Sequence, residues 1–404
     1  MAAARPKISD RQRRAMLVRR HLLAPSVRAT SVKQVAEALV GLHATEPTTV
    51  FLSVAARMNG ATPRAVEKAL YEDRSLVRML CMRRTVFVVP KELAPVVEAS
   101  TARTVAARER AALTKILAGQ LGHDAAWLDA IERDLLAALA DLGEADATQI
   151  ADAVSRLKEQ ITISPGETRV RINNKVLTVL AAEGRIRRGS PHGTWASAKF
   201  RWTLAEPHPG MPADEARVEL ATRYLRAFGP ATLDDIKWWT GWNLTDTRNA
   251  LAGSGAIEAD LDHATGYVLR DDPILDLSDR PERPGGGATV SLLPTLDPTA
   301  MGWRDRDWYL DPAHTGDLFD RQGNIGPTLW CDGRVIGGWG QHEDGHIITE
   351  LLTSTTDRRI RTAIEAEADR LTEFLADVRI RPHLRTPLVR RLQTIKTAGR
   401  RDAP

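Results

Sequence analysis

Hydrophobic positions recur at helical spacing through most of the first 280 residues, and short alternating segments interrupt them. The first clear helix has an apolar face from Val32 to Val40, spaced i, i+3, i+4, i+7 and i+8. Ser31 and Gln34 have the spacing of a capping box, and Gly41 marks the expected end of the helix.

A strand pair follows a second predicted helix. Thr62 and Pro63, a cap followed by a first-turn proline, start that helix. Residues 78–89 then alternate and predict two strands that meet at Arg83 and Arg84. Helices followed by a strand pair are typical of a winged-helix unit.

The same order recurs twice. In the second copy Asp146 and Gln149 cap one helix, a second helix is predicted over residues 168–183, and strands over 185–188 and 195–204 flank a glycine-containing loop, as in a wing. In the third copy, helices are predicted over 218–228, from a cap at Thr232 and Asp235, and over 245–251. Strands follow on either side of residues 262–266.

The pattern changes after a proline- and glycine-rich linker at residues 271–287. Strands are predicted over 288–293, 328–331, 334–339 and 346–351, followed by one long helix over 356–377 and a basic segment, 379–401. The predicted fold is therefore mainly α with small β. It has three tandem winged-helix units (1–125, 126–208 and 209–272) and a β-rich domain with one long helix (285–404).

Composition is that of a soluble globular protein, with 43% hydrophobic and 27% charged residues. No stretch approaches the length of a membrane helix, and the first residues lack the apolar core of a signal peptide, so we expect a cytoplasmic protein. Cys81 and Cys331 lie far apart and outside any ligand motif. We expect both cysteines to be buried, and we predict neither a metal nor a cofactor.

Charge is distributed unevenly. Residues 1–115 hold 21 Lys and Arg against 9 Asp and Glu, a net charge of +12, whereas the remaining residues sum to −8. A basic half favours a polyanion such as DNA as partner, although solvated helix faces in an arginine-rich chain would give the same count.

Candidate DNA contacts follow from the predicted elements. A winged helix places its second helix in the major groove, and the middle unit's helix is expected to open with basic and amide side chains. The turn between the strands of the first unit and the wing of the middle unit add further arginines. The candidates are Arg83, Arg84, Arg169, Arg171, Asn173, Asn174, Lys175, Arg185, Arg187 and Arg188. Protein interaction and ordinary solvated faces are the alternatives.

Two other clusters have simpler interpretations. Trp238, Trp239 and Trp242 are more typical of a core than of a base-stacking platform. The acidic and basic residues between Asp297 and Asp307 are expected to pair at the surface rather than to bind a metal.

His43, taken alone, is typical of a helix end, where a histidine satisfies the last carbonyls.

The chain also resembles a known family. Six blocks in chain order are similar to those of bacterial AlkZ-like and YcaQ-like winged-helix DNA glycosylases: residues 8–23 (ISDRQRRAMLVRRHLL), 40–47 (VGLHATEP), 82–90 (MRRTVFVVP), 228–241 (FGPATLDDIKWWTG), 292–306 (LLPTLDPTAMGWRDR) and 332–339 (DGRVIGGW). The resemblance implies three tandem winged helices, a C-terminal β-barrel, and hydrolysis of the N-glycosidic bond of damaged bases in DNA.

The family's catalytic motif is Gln-x-Gln or Gln-x-Asp directly after Gly-Leu. Here Gly41 and Leu42 are followed by His43, Ala44 and Thr45. His43 could bind the hydrolytic water, act as a general base or have no chemical role, whereas Thr45 can only make hydrogen bonds. The changed motif is compatible with an alkylated purine, with a deaminated base such as uracil or hypoxanthine, or with lost activity.

The leading hypothesis is a monomeric, monofunctional DNA glycosylase of base excision repair, associated with the nucleoid. In it His43 holds or activates the water and Thr45 orients it. A non-catalytic winged-helix DNA-binding protein or regulator is the alternative, and a protein-interaction scaffold is a third possibility.

Overall fold

The structure is a computed structural model, and it describes residues 4–162, 168–279, 288–354, 357–380, 382 and 384–394. These residues are mainly helical, with several short sheets, which confirms the predicted mainly-α class with small β. None of their helices combines the length and apolarity needed to cross a bilayer.

The helices are α1 (Asp10–Arg20), α2 (Val32–Ala38), α3 (Pro47–Arg57), α4 (Pro63–Glu67), α5 (Ala94–Val97), α6 (Arg103–Leu121), α7 (Ala125–Leu142), α8 (Ala147–Ala153), α9 (Asn173–Ala182), α10 (Ala213–Phe228), α11 (Leu233–Thr240), α12 (Leu244–Gly253), α13 (Thr315–Leu318), α14 (Arg358–Leu375) and α15 (Pro387–Thr394).

The strands are β1 (Lys7–Ile8), β2 (Leu42–His43), β3 (Leu76–Leu80), β4 (Val86–Pro90), β5 (Ala145–Asp146), β6 (Gln160–Thr162), β7 (Arg169–Arg171), β8 (Ile186–Pro191), β9 (Phe200–Leu204), β10 (Ile257–Leu261), β11 (Thr265–Val268), β12 (Val290–Leu293), β13 (Thr328–Cys331), β14 (Arg334–Gln341) and β15 (Ile347–Leu351).

Two helices begin at the caps that the sequence indicates. At the start of α8 the Asp146 carboxylate accepts hydrogen bonds from the amides of Thr148 and Gln149, and the Asp146 amide donates to the Gln149 side chain at 2.9 Å. Thr232 and Asp235 exchange equivalent bonds of 2.9 and 3.1 Å before α11. Because these contacts are local, three-residue spacing is enough to predict them.

The capping box of α2 forms only in half. The Ser31 hydroxyl accepts from the Gln34 amide at 3.3 Å, but the Gln34 side chain accepts from the amide of Thr30 rather than from that of Ser31. The helix ends at Ala38, three residues before Gly41, because the chain already turns at Val40, whose φ is 60°.

The helix predicted over 168–183 was wrong at its start. Arg169–Arg171 form β7, which pairs antiparallel with Gln160–Thr162 of β6, and α9 begins only at Asn173. Polar and apolar residues alternate from Arg169 to Ile172, the two-residue period of a strand, and Ile172 is fully buried. The first-turn placement of Arg169 and Arg171 is corrected accordingly.

The chain divides into two compact units. Unit 1 comprises residues 1–66, 224–235 and 255–404, and unit 2 comprises residues 67–223 and 236–254. Each unit is therefore assembled from segments that are distant in sequence.

Unit 1 has two sheets. In one, β1 pairs parallel to β10, and β10 pairs antiparallel to β11. In the other, β12, β13, β14 and β15 follow one another in an antiparallel order. The described C-terminal strands thus form an open four-stranded sheet, and the closed barrel implied by the family resemblance is not confirmed.

Much of unit 1's core lies under this second sheet. Trp303, Trp308, Tyr309 and Trp330 pack ring against ring, with successive centroids 4.8 to 5.2 Å apart. Helix α14 packs on the sheet from residue 358, close to the predicted start at Thr356, which lies outside the described residues. Helix α15 falls in the basic segment, where no helix was predicted.

Unit 2 contains the β3–β4 hairpin, the sheet β5–β9–β8 and the β6–β7 pair. Its core is formed by apolar faces of α6, α7, α8 and α9, including Leu117, Leu135, Ile150 and Leu177, all fully buried. In chain order these elements are α7, β5, α8, β6, β7, α9, β8 and β9. The β6–β7 pair lies between α8 and α9 where only a turn was predicted, and the division into three winged-helix units stays a prediction.

Candidate active site and DNA interface

His43 lies in a short buried strand rather than at a helix end. After Val40 and Gly41, both with positive φ, the chain forms β2, and α3 begins at Pro47. His43 is only 2% exposed, whereas Thr45 is exposed. The two side chains at the candidate motif therefore meet different surroundings, since His43 is enclosed by protein and Thr45 reaches the surface.

The imidazole of His43 has a defined orientation. The amide of Thr45 points its N–H at Nδ1 of His43, at a distance of 3.4 Å. Because an amide nitrogen can only donate, Nδ1 is the acceptor, and the neutral ring carries its proton on Nε2. In this tautomer the ring presents an N–H donor at Nε2.

Helix α3, which follows the motif, is held by a buried ion pair within unit 1. Arg57 donates to both carboxylate oxygens of Asp297, at 2.6 and 2.9 Å, and both side chains are fully buried. Ser53 and the Thr299 amide also donate to this carboxylate, at 2.8 and 2.9 Å. The expectation that Asp297 pairs at the surface is therefore wrong.

The environment of Asp297 favours its ionised form. Burial alone would raise the pKa of this carboxyl, but the charge of Arg57 and four hydrogen bonds hold the pKa below its usual value. The pair holds α3 to the segment that follows β12 and so anchors the chain that continues from His43.

His21 completes this network. Its Nε2 donates to the Ala227 carbonyl at 3.0 Å, and its Nδ1 accepts from the Thr299 hydroxyl at 2.8 Å. Burial, together with the nearby charge of Arg57, lowers the pKa of His21 to about 3. The ring is therefore neutral near pH 7 and serves as a structural hydrogen-bonding group.

The tip of the β3–β4 hairpin in unit 2 is basic and strained. Arg83 and Arg84 both have left-handed backbones, with φ of 53° and 62°, where a hairpin usually has Asn or Gly. The Arg83 guanidinium lies 3.8 Å from the ring of Trp238, and a Cβ on Gly241 would come within 3.3 Å of the Arg83 amide. Positive-φ arginines held in this way are the kind of strain that marks functional sites.

The neighbouring surface adds further charge. Arg84 donates two hydrogen bonds to Glu109, one of 2.9 Å. This contact with Arg84 is the largest cause of the lowered pKa of Glu109, and the charge of Lys175 in α9 lowers that pKa further. A cleft of about 310 Å³ beside the tip is also lined by Arg108 and Arg217.

The remaining candidates on β7 and α9 differ in exposure. Arg169, Arg171 and Asn174 are exposed, and within the described part of the chain no ion pair involves either arginine. Asn173 is buried, and its amide donates to the Ala147 carbonyl at 3.2 Å. Asn173 therefore fixes the start of α9.

The wing arginines divide in the same way. Arg185 is paired with the buried carboxylate of Glu132 at 2.8 Å, an ion pair of the unit's own structure. Arg187 and Arg188 line a recess between α9 and the hairpins, together with Arg78, which the sequence argument missed. Arg78 occupies a strand position, and only its unpaired buried nitrogens mark it as unusual.

His43 and Thr45 belong to unit 1, whereas the ten predicted DNA contacts all belong to unit 2. As predicted, Trp239 and Trp242 are core residues, and both cysteines are buried. Trp238 is only half-buried under Arg83.

The β3–β4 turn and the neighbouring β7 and α9 give unit 2 a cluster of basic side chains. The model of the AlkZ-like DNA glycosylase family matches residues 36–374, and the chain belongs to that family.

Two relatives come from Streptomyces sahachiroi. An interstrand DNA cross-link repair glycosylase is 27% identical over 233 residues, which cover 54% of this chain and 59% of that protein. The solved structure of the DNA glycosylase AlkZ superposes with a TM-score of 0.70 at 21% identity, over 93% of this chain and 98% of that one. The second likeness is one of fold.

Proposed function

We propose that this protein is a monofunctional DNA glycosylase that hydrolyses the N-glycosidic bond of a damaged base, either an alkylated purine or a deaminated base. The observation that carries the proposal is the buried, oriented imidazole of His43 at the position of the family's catalytic motif.

His43 acts as a positioning donor in this proposal. With Nδ1 accepting from the Thr45 amide, the N–H at Nε2 donates to the oxygen of the hydrolytic water. The exposed Thr45 hydroxyl accepts a hydrogen bond from the same water and orients it towards the anomeric carbon. A glutamine amide can supply the same donor, so the departure from the family's Gln-x-Gln pattern preserves the hydrogen bond rather than introducing a base. As the water oxygen bonds to C1′, the C1′–N bond breaks and the base leaves with its electron pair. The proton that the water loses passes to solvent when the base is a cationic alkylated purine, and to the departing base when that base is neutral.

DNA is held by unit 2 in this proposal. The phosphate contacts are made by positive or polar side chains at the β3–β4 turn, on β7 and at the start of α9: Arg83, Arg84, Arg169, Arg171, Asn174 and Lys175. Four of them are exposed, and Arg83 and Lys175 are half-buried. The domain plan is three winged-helix units, 1–125, 126–208 and 209–272, followed by the β-rich segment 285–404. The protein acts as a monomer on DNA of the nucleoid in the cytoplasm.

Base release tests the chemistry. Duplexes that contain 7-methylguanine, 3-methyladenine, uracil or hypoxanthine are incubated with the protein, and abasic sites are cleaved with alkali. We expect release from at least one lesion, a loss of about 100-fold or more in His43→Ala, and substantial activity in His43→Gln, which keeps a donor at the same place.

DNA affinity, measured in parallel, should be unchanged in His43→Ala, and the exposed His263→Ala is the matched control for activity. If the wild-type protein binds these duplexes and releases no base, the glycosylase proposal fails and the non-catalytic DNA-binding alternative stands. Full activity in His43→Ala would remove His43 from the mechanism.

A further inference from the structure

Two arginines converge on one aromatic ring in unit 2. The guanidinium carbon of Arg78 (β3) lies 4.7 Å from the centroid of Phe200 (β9), and that of Arg188 (β8) lies 5.1 Å from the same ring. Arg188 also lies 5.6 Å from the ring of Trp202. We call the space that Arg78, Arg187, Arg188 and Trp202 line, with Thr178 of α9, the arginine recess.

Among the described residues, Arg78 and Arg188 have no acidic partner, whereas Arg187 lies near Glu206. Both terminal nitrogens of Arg78 are buried and donate no hydrogen bond, and its charge is favoured by Tyr71 and by the face of Phe200. Burial, together with repulsion by Arg78, lowers the pKa of Arg188 to about 10, so Arg188 remains cationic near pH 7. Arg78 is also cationic, because a guanidinium does not lose its proton in proteins. Buried like charges are costly unless an anion compensates them.

The size of the recess suits one small anion. Its volume of about 60 Å³ corresponds to roughly four or five water positions, close to the five heavy atoms of a phosphate group. It shares Arg78, Met79, Ala181 and Arg187 with a larger cavity of about 460 Å³, which is in the range of small-molecule sites.

The walls of the larger cavity differ from the recess. Apolar residues form much of its lining, among them Val77, Met79, Pro95, Ile186, Pro207 and Pro209. Five charged residues also line this cavity: Arg74, Lys91, Glu92, Glu98 and Glu206. The arginine end complements the anionic phosphate of a nucleotide, and the apolar part of the wall complements its flat, weakly polar base.

We propose that the arginine recess binds the phosphate group of a nucleotide, with the base and sugar against the apolar walls of the adjoining cavity. A terminal phosphate carries close to two negative charges, which balance two guanidinium groups, and the phosphodiester of a DNA strand carries one. In both cases the phosphate oxygens match the forked donors of the arginines. The nucleotide is either free or part of a DNA strand. The site is independent of His43, so its failure and that of the glycosylase proposal are distinguishable.

Binding is measured by calorimetry on the full chain, with inorganic phosphate, dAMP, deoxyadenosine, and a DNA oligonucleotide without terminal phosphates. We expect dAMP to bind more tightly than phosphate and deoxyadenosine to bind at least about tenfold more weakly than dAMP, because the guanidinium bonds are lost. If the oligonucleotide occupies the recess and dAMP does not, the phosphate source is a DNA strand.

Arg78→Met and Arg188→Met separate binding from folding. Each should weaken phosphate binding by at least about tenfold and, without ligand, should raise the unfolding temperature, because an uncompensated buried charge is removed. Arg201→Met is the matched control, since Arg201 lies on the same strand as Phe200 and interacts with Glu144 at 3.8 Å. The proposal is overturned if Arg78→Met and Arg188→Met bind both dAMP and the oligonucleotide as tightly as the wild-type protein does, or if neither ligand binds the wild-type protein. A lower unfolding temperature in both variants without ligand would also overturn it.

Discussion

The two buried histidines of unit 1 differ in what their ring nitrogens contact. His21 donates to a carbonyl and accepts from a hydroxyl, so both nitrogens have fixed partners. In His43, Nδ1 accepts from a backbone amide two residues away, at the exposed end of the motif. Arg19 and Arg20 precede His21 in the sequence, whereas residues 34–56 around His43 contain no lysine or arginine. The burial of both rings and the contacts of their nitrogens therefore come from the structure and not from the sequence.

His21 predicts a pH dependence of stability. Its pKa is about 3 in the folded protein and about 6.5 in an unfolded chain. Between these values the unfolded state binds the proton and the folded state does not, so the free energy of unfolding decreases as the pH falls from 6.5 towards 3. The loss for one such group approaches about 1.4 kcal/mol per pH unit, and the contribution is complete above pH 6.5.

Urea unfolding at pH 7 and pH 5 measures this effect. His21→Gln should lose less stability over this interval than the wild-type protein, and the exposed His263→Gln should lose as much as the wild type. An equal loss in His21→Gln and the wild type would show that His21 is not the group responsible.

At the scale of elements, the hairpin tip of Arg83 and Arg84 combines strain with charge. Arg84→Gly should relieve a left-handed backbone, raising the free energy of unfolding by up to about 1 kcal/mol, because the exposed pair with Glu109 contributes little. If Arg84 contacts a phosphate, the same change should lower DNA affinity and reduce the slope of log K against log salt by about one.

Fluorescence anisotropy over a range of salt concentrations measures the DNA affinity and its salt slope, and urea unfolding measures the free energy of unfolding. Arg84→Lys keeps the charge and the strain, so we expect the wild-type salt slope and stability from it. A wild-type salt slope in Arg84→Gly would exclude Arg84 from the DNA interface.

Elements were predictable where their determinants are local. The caps at Asp146 and Thr232 fixed helix starts, and alternation fixed the strands around Arg83 and Arg84. The start of α9 was predicted wrongly because β7 forms by pairing with β6. The three residues of β7 are too few to indicate a strand clearly by themselves. At the candidate site, the position of His43 came from the family pattern, whereas its burial and tautomer required the structure.

At the scale of the whole molecule, the sequence does not indicate that each unit is built from segments far apart in the chain. Nothing local in Arg57 indicates a buried partner 240 positions away, and the same is true of Arg20 and Asp272, 252 positions apart. Contacts of this range depend on the complete fold, so domain boundaries drawn along the sequence do not reveal them.

A chain ending after Ser254 tests this assembly. It contains all of unit 2 but lacks residues 255–404 of unit 1, including Asp297. Hydrogen exchange should then be fast in α3, because Arg57 loses its buried partner, and should stay slow in α7 and α9, whose shared core is intact. In the full chain all three helices should be protected, and slow exchange of α3 in the shortened chain would contradict this dependence.

The interleaving of the two units also sets an order of events during synthesis. Every residue of unit 2 has been translated by Ser254, while unit 1 still awaits its last 150 residues. At roughly 5 to 20 residues per second, that interval lasts on the order of ten seconds or more. During it the arginine-bearing hairpins can already be folded on the ribosome, while α3, which follows the His43 segment, still lacks the carboxylate that anchors it.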